Sequence, residues 1–401
     1  MNKLLQINST LNWGSTGRIV DEIGQAAINK GWESHIAYGR YCNETVSQIL
    51  KIGNKKDVYN HVCQSRLFDN HGLASRNATK HFIEQIEKIN PDVIHLHNIH
   101  GYYLNYSIFF DFLSKRDIPI IWTLHDCWSF TGHCAHYSYI GCQYWRTLCH
   151  NCPQKHDYPK SWFMDCSKSN HLKKQHAFTS VKNMTIVPVS EWLAGQVKQS
   201  FLKKYPIRVI SNGVDTDVFS PIQLKKTDLC IADKFMILGV ANVWTARKGL
   251  ADFIALREKL SDDYLIVLIG LNEKQIKKMP DGIIGISRTN SMHDLAKYYS
   301  VADIYLNTSV EETFGLTTVE SLSCGTPAIV YNSTACPEII SSDTGFIVEP
   351  GNIEGIVSII KDVKNRKKKK WIEICRNFAV QQYDKRNKYM DYIRLYEEVL
   401  K

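Results

Sequence analysis

The chain has 401 residues, 44% of them hydrophobic and 22% charged, with a formal net charge of +9. That length exceeds one ordinary core, so two domains are expected, and the composition is that of a globular protein rather than a disordered one. No apolar run reaches the ~18 residues that span a bilayer. The start, MNKLLQINSTLNWG, has too short an apolar stretch for a signal peptide and reads as a strand, so a cytoplasmic location is expected.

Short apolar, β-branched runs alternate with helical patterns along nearly the whole chain. In the first half the predicted strands are 3–10, 34–39, 92–98, 118–126, 184–190 and 207–213, with helices at 18–30, 78–88 and 191–201. In the second half they are 235–242, 264–270, 283–287, 304–309 and 327–332, with helices at 250–260, 292–302 and 316–323. Such alternation builds parallel sheets covered on both faces, with ligands at the carboxyl ends of the strands. A polar stretch without strong periodicity, 216–233, reads as the hinge, and the tail from 371 to 401 is helical in pattern.

Several polar groups fall at strand ends. The first strand runs into Asn12-Trp-Gly14-Ser-Thr-Gly17-Arg18, a glycine-bearing turn into a helix. Such a turn lets backbone approach a ligand, although a plain tight turn reads the same way. His95, His97 and Asn98 close one strand and His125 and Asp126 another; strand-end histidines are as often structural as functional. Ser190 and Asn212-Gly213 finish later strands, and Arg247-Lys248-Gly249 opens a helix. A lysine there can meet a phosphate as a point charge.

The stretch SVEETFGLTTVESLSCGTP, 309–327, places Glu312 and Glu320 eight positions apart around Gly315. A helix starting near Gly315 offers free amides that bind phosphate. Glu320 then lies inside the helix and Glu312 in the approach loop, so the two carboxylates can reach different parts of one elongated ligand. Carboxylates accept hydrogen bonds from vicinal diols. A nucleotide sugar has that layout.

On these residues the chain resembles the retaining glycosyltransferases of family 4, which have the GT-B fold of two Rossmann-like parallel-sheet domains facing a cleft. The carriers are Glu312-x7-Glu320 with CGTP at 324–327, RKG at 247–249, NGVD at 212–215, LHD at 124–126 and GSTG at 14–17. The resemblance implies that Glu320 binds the donor ribose, Glu312 the transferred sugar and Lys248 the diphosphate. Amides near Phe314, Gly315 and Leu316 would meet phosphate or sugar oxygens, with Asn212 on the donor side. His125 would lie by the donor sugar, and the Gly14–Gly17 loop would shape the acceptor and diphosphate side. Family members usually carry an arginine several residues before the lysine, where this chain has Ala241-Asn242. Either Arg247 supplies that second charge or the phosphate site is less charged.

The implied organisation is an acceptor domain at 1–215 with a Cys-rich insertion at 127–166, a nucleotide-sugar domain at 216–375, and a helix at 376–401 packing back on the first domain. The implied function is transfer of a sugar from a UDP- or GDP-linked donor to a glycan or polyprenyl-linked oligosaccharide in bacterial surface polysaccharide assembly, with no catalytic metal. A nucleotide-sugar epimerase or hydrolase of the same fold is the alternative. A basic, zinc-containing nucleic-acid-binding protein is a more distant one, and the donor constellation argues against nucleic acid as a partner.

Basic residues form small clusters, among them Lys55-Lys56, Lys173-Lys174, Lys203-Lys204, Lys277-Lys278 and 367–370. They read either as solvated helix faces or as attraction to anionic lipid at the inner face of the cell membrane. Six of the 12 cysteines fall from Cys127 to Cys166. Cys149-x2-Cys152 is half of a zinc site, and Cys134 and Cys142 could complete it, with His133, His136 and His150 as substitute ligands. The bland alternative is a set of buried small thiols.

Overall fold

A computed structural model describes residues 1–366 and 368–401. It divides into two compact units, Met1–Ser211 with Lys388–Lys401, and Asn212–Asn387. The run at 367–370 includes Lys367, which lies outside the described residues.

The first unit holds strands β1 Lys3–Asn8, β2 Glu33–Tyr38, β3 Gln48–Lys51, β4 Val93–Leu96, β5 Ile120–Leu124 and β6 Met184–Pro188. They form one sheet in the order β3-β2-β1-β4-β5-β6, every pairing parallel. The second unit holds β7 Phe235–Val240, β8 Tyr264–Ile269, β9 Ile283–Ile286, β10 Ile304–Asn307, β11 Ala328–Tyr331 and β12 Gly345–Val348, in the order β12-β11-β10-β7-β8-β9, again parallel. Inner strands such as YLIVLI are buried along their whole length, as helices on both faces require.

The edge strands β3 and β12 were not expected from the sequence. Both are only four residues long and partly exposed, β3 as QILK and β12 as GFIV, too short for a strand pattern to stand out. The expected strand at 207–213 forms no named strand; it lies beside β6 through an isolated bridge from Ile207 to Ile186.

The boundary expected at 215/216 falls earlier, between Ser211 and Asn212, and the chain returns to the first unit at Lys388 rather than 376. Hydrogen bonds to the backbone explain both shifts. The Val214 N–H donates to Tyr383 O at 2.8 Å, and Arg376 Nη1 donates to Thr216 O and Phe219 O at 2.7 and 2.8 Å. These bonds tie 212–219 and the helix Lys368–Tyr383 to the second unit. The stretch 216–233 is therefore no hinge but part of that unit: Thr216 is buried and its hydroxyl donates to Asp384.

The final helix, Lys385–Val399, contributes Lys388 onward to the first unit. There the Tyr389 hydroxyl donates to Glu22 Oε2 at 2.8 Å, and Tyr392 and Tyr396 meet Thr123 and His95 at 3.1 and 2.6 Å.

Candidate functional site

In the second unit, β7 and β10 are parallel neighbours, Ile304 opposite Ile237 and Tyr305 opposite Leu238. Their carboxyl-end loops consequently emerge side by side, which brings 245–249 against 308–313. The contact is laced by backbone: the Val310 N–H donates to Arg247 O at 3.0 Å, and the Thr308 hydroxyl to Lys248 O at 2.9 Å. Gly249 has φ +70, and a Cβ there would lie 2.5 Å from Thr308 O, so only glycine lets the strands' loops approach this closely.

This zipper places Lys248 Nζ on Glu312 Oε1 as an ion pair, each side chain mostly buried. Burial alone raises the Glu312 pKa, but Lys248 and Arg247 outweigh it, and the carboxyl is held below its ordinary value. Arg247 Nη1 donates to Glu311 O at 2.5 Å, so its guanidinium is anchored beside the pair. The Glu312 N–H donates to the Thr334 hydroxyl at 2.8 Å, fixing the approach loop from the β11 side.

The helix runs Leu316–Ser323, as its spacing predicted, with Gly315 before it at φ +112. Phe314 is buried, its ring 5.8 Å from that of Tyr383. Glu320 is 9% exposed, and the Tyr299 hydroxyl donates to its Oε2 at 3.0 Å. Tyr299 belongs to the helix Met292–Val301, too far away in sequence for the Glu-x7-Glu pattern to reveal it. Asn212 is buried at the start of this unit, and its Oδ1 has no hydrogen-bond partner among the described residues.

In the first unit, β1 leads to a turn in which the Asn12 N–H donates to Gly17 O at 2.9 Å. Gly14 opens the helix Gly14–Asn29 at φ +67, and a Cβ on Gly17 would stand 2.8 Å from the Thr10 hydroxyl. Trp13 is exposed and stacked on Tyr41, with centroids 5.3 Å apart.

The strand-end histidines divide into two roles. His95 is fully buried with both ring nitrogens engaged, by Tyr396 at 2.6 Å and Thr123 at 2.7 Å, which is a structural arrangement. His97 lies parallel to His125, Nδ1 to Nε2 at 3.2 Å, and its own Nε2 meets Gln6 Oε1 at 3.2 Å. Burial pushes the His125 pKa down to about 4, so the ring is neutral near pH 7. Burial would raise Asp126, but its partner His100, 2.8 Å away, holds it down at about 2.

The insertion after β5 contains only the single-turn helices Trp128–Phe130, Ser138–Ile140 and Tyr144–Arg146 before the helix Ser167–Phe178. Cys134 and Cys149 are buried there, and Cys142 and Cys152 half-buried. Among the described residues, no group of three or more His, Cys, Asp or Glu side chains stands in a metal-holding arrangement. Lys174, expected in a surface cluster, is instead buried; its Nζ donates to Trp128 O and Thr131 O at 2.7 and 3.0 Å.

Two family models match the chain: "Glycosyl transferases group 1" over residues 224–378, and "Glycosyltransferase Family 4" over residues 16–218. A putative colanic acid biosynthesis glycosyl transferase, WcaC, of Escherichia coli K12 is 24% identical over 384 residues, 89% of this chain and 90% of its own. Among solved structures, sucrose-phosphate synthase from Thermosynechococcus elongatus superposes with a TM-score of 0.74 at 15% identity, covering 100% of this chain and 99% of that one. Anabaena Alr3699/HepE in complex with UDP-glucose superposes at 0.65 and 13% identity, covering 99% of each chain. At these identities the structures establish a common fold.

Proposed function

The chain belongs to glycosyltransferase family 4, and from that premise we propose that it moves a sugar from a nucleotide sugar to a glycan or polyprenyl-linked oligosaccharide during assembly of bacterial surface polysaccharide. The observation that carries the donor assignment is the Lys248–Glu312 ion pair set beside the Gly315 helix start, with Glu320 held inside that helix. The colanic acid role in the name of the relative supports the polysaccharide setting. The UDP-glucose complex of a structural neighbour supports a UDP-linked donor, with GDP the alternative base.

Bond breaking at the anomeric carbon develops positive charge on the sugar and negative charge on the diphosphate. Lys248, Arg247 and the amides at Gly315 and Leu316 stabilise the leaving diphosphate where its charge grows, without a catalytic metal. Glu312 accepts hydrogen bonds from the sugar and Glu320 from the ribose diol. In the first unit, the neutral, His97-braced ring of His125 serves the donor sugar, and the Gly14–Gly17 loop serves the acceptor and diphosphate side. The configuration is retained, as the family resemblance implies. The test is incubation with a nucleotide-sugar panel and lipid-linked acceptors, followed by mass and linkage analysis. Acceptor heavier by one sugar with the donor's anomeric configuration supports the reading. Free or epimerised sugar without transfer overturns it, and an inverted linkage overturns retention.

Glu320→Gln should weaken nucleoside diphosphate binding while leaving the fold intact, because neutral hydrogen bonds are roughly half as strong as charged ones. Unchanged affinity in calorimetry would remove Glu320 from the ribose.

Among the described residues no helix is long and apolar enough to cross a membrane. We further propose peripheral attachment to anionic lipid through exposed Lys173, Lys203 and Lys204, each contributing about 1 kcal/mol at most. Co-sedimentation with anionic vesicles should exceed that with neutral ones and fall with salt; equal binding to both contradicts it.

A further inference from the structure

The proposed donor chemistry uses none of the insertion's cysteines, yet their sulfurs are gathered. Cys134 and Cys152 share a hydrogen bond, and each of the four thiols Cys134, Cys142, Cys149 and Cys152 lies within electrostatic reach of the other three. Backbone amides already point at three of the sulfurs: Gly132 N–H at Cys149 Sγ (3.1 Å), Tyr144 N–H at Cys142 and Gln154 N–H at Cys152. Amide donors of this kind stabilise thiolates, and in two cases the donor sits two residues after its cysteine.

The histidines offer less. His133 is buried with Nδ1 on Asp69 Oδ1 at 2.7 Å, and His150 Nδ1 is turned to Leu148 O at 3.0 Å. The surroundings are otherwise built to hold this loop. The Cys149 N–H donates to His171 Nδ1 at 2.9 Å, and the Cys152 N–H to Asp165 Oδ2 at 2.5 Å. Lys174, whose Nζ is bonded to Trp128 O and Thr131 O at 2.7 and 3.0 Å, fastens the start of the same loop. Few regular elements stabilise a segment of this length, and a tetrahedral ion supplies what they do not.

We propose that Cys134, Cys142, Cys149 and Cys152 bind one Zn²⁺ as a structural four-thiolate site. Because the side chains are not yet in a metal-holding arrangement, binding rotates the sulfurs to about 2.3 Å from the ion, and each thiol that was protonated releases its proton. Zinc is favoured over harder cations because all four ligands are thiolates. Beside the site lies an open cavity of about 500 Å³ lined by Tyr139, Cys142, Tyr144, Gln154 and Asp157 among others. The ion would hold two of that cavity's walls, through Cys142 and through Cys152 next to Pro153 and Gln154.

The full chain, purified in reductant without added zinc, should carry about one zinc per molecule by elemental analysis. The four thiols should resist a thiol reagent until a strong chelator is added. The Cys149→Ser, Cys152→Ser double variant should lose at least nine-tenths of the zinc, whereas Cys42→Ser, Cys230→Ser, outside the insertion, should keep it. The wild-type thiol titration stands even if the double variant misfolds. A cooperatively melting wild type with no zinc and four freely reactive thiols overturns the proposal, and so does a Cys134–Cys152 disulfide in its place.

Discussion

Lys248→Ala is expected to lower turnover by about 10²–10³-fold, the loss that follows removal of one preorganised stabiliser of transition-state charge. Lys248 ends a single-turn helix whose backbone is bonded to Thr308, so the ammonium is delivered by a rigid turn rather than a searching side chain. The variant also leaves Glu312 without its lysine partner, although Arg247 remains near. A melting curve close to wild type together with the lost turnover assigns the effect to chemistry. Lys248→Arg should recover part of the rate, because a guanidinium also neutralises a diphosphate but with a different reach. Turnover within a few-fold of wild type in the alanine variant would take Lys248 out of the mechanism.

Glu312→Ala should have a comparably large effect on turnover with the opposite signature in binding. Its carboxylate partners Lys248 in the free protein. Removing it frees the ammonium for phosphate, so affinity for a nucleoside diphosphate should be kept or rise, while the sugar loses its acceptor group and turnover falls by at least 10²-fold. Calorimetry with the nucleoside diphosphate and kinetics with the nucleotide sugar separate the two effects. If the alanine variant loses the nucleoside diphosphate altogether, Glu312 holds the nucleotide and not the sugar.

The local structure of the proposed donor segment was legible because it is contiguous in sequence. Glu312, Gly315 and Glu320 lie along one loop and helix, and the helix Leu316–Ser323 begins and ends where its apolar spacing placed it. What joins that segment to Lys248 is the parallel pairing of β7 with β10, a long-range fact that the strand pattern implies only in outline. Tyr299 on Glu320 and His97 on His125 were harder to find, since each partner is set by the register of neighbouring elements.

Composition misled where polar residues are buried. The stretch 216–233 looked like a hinge because it is polar, but Thr216 and the backbone around Phe219 are bound to Asp384 and Arg376. Lys174 looked like half of a surface cluster. In the helix Ser167–Phe178 the buried positions are Ser167, Asn170, His171, Lys174, Ala177 and Phe178, a regular helical face written mostly in polar residues. A hydrophobic pattern cannot display such a face, and this one is buried through hydrogen bonds such as those from Lys174 to Trp128 and Thr131.

In the proposed function the second unit cradles a nucleoside diphosphate through Lys248, the Gly315 helix start and Glu320. Calorimetric titration of the full chain with UDP, GDP, ADP and TDP tests it most directly. One of them should bind with one-to-one stoichiometry, its monophosphate should bind more weakly, and Lys248→Ala should narrow this difference. A chain that melts cooperatively yet binds none of the four, or binds mono- and diphosphate equally, would contradict it.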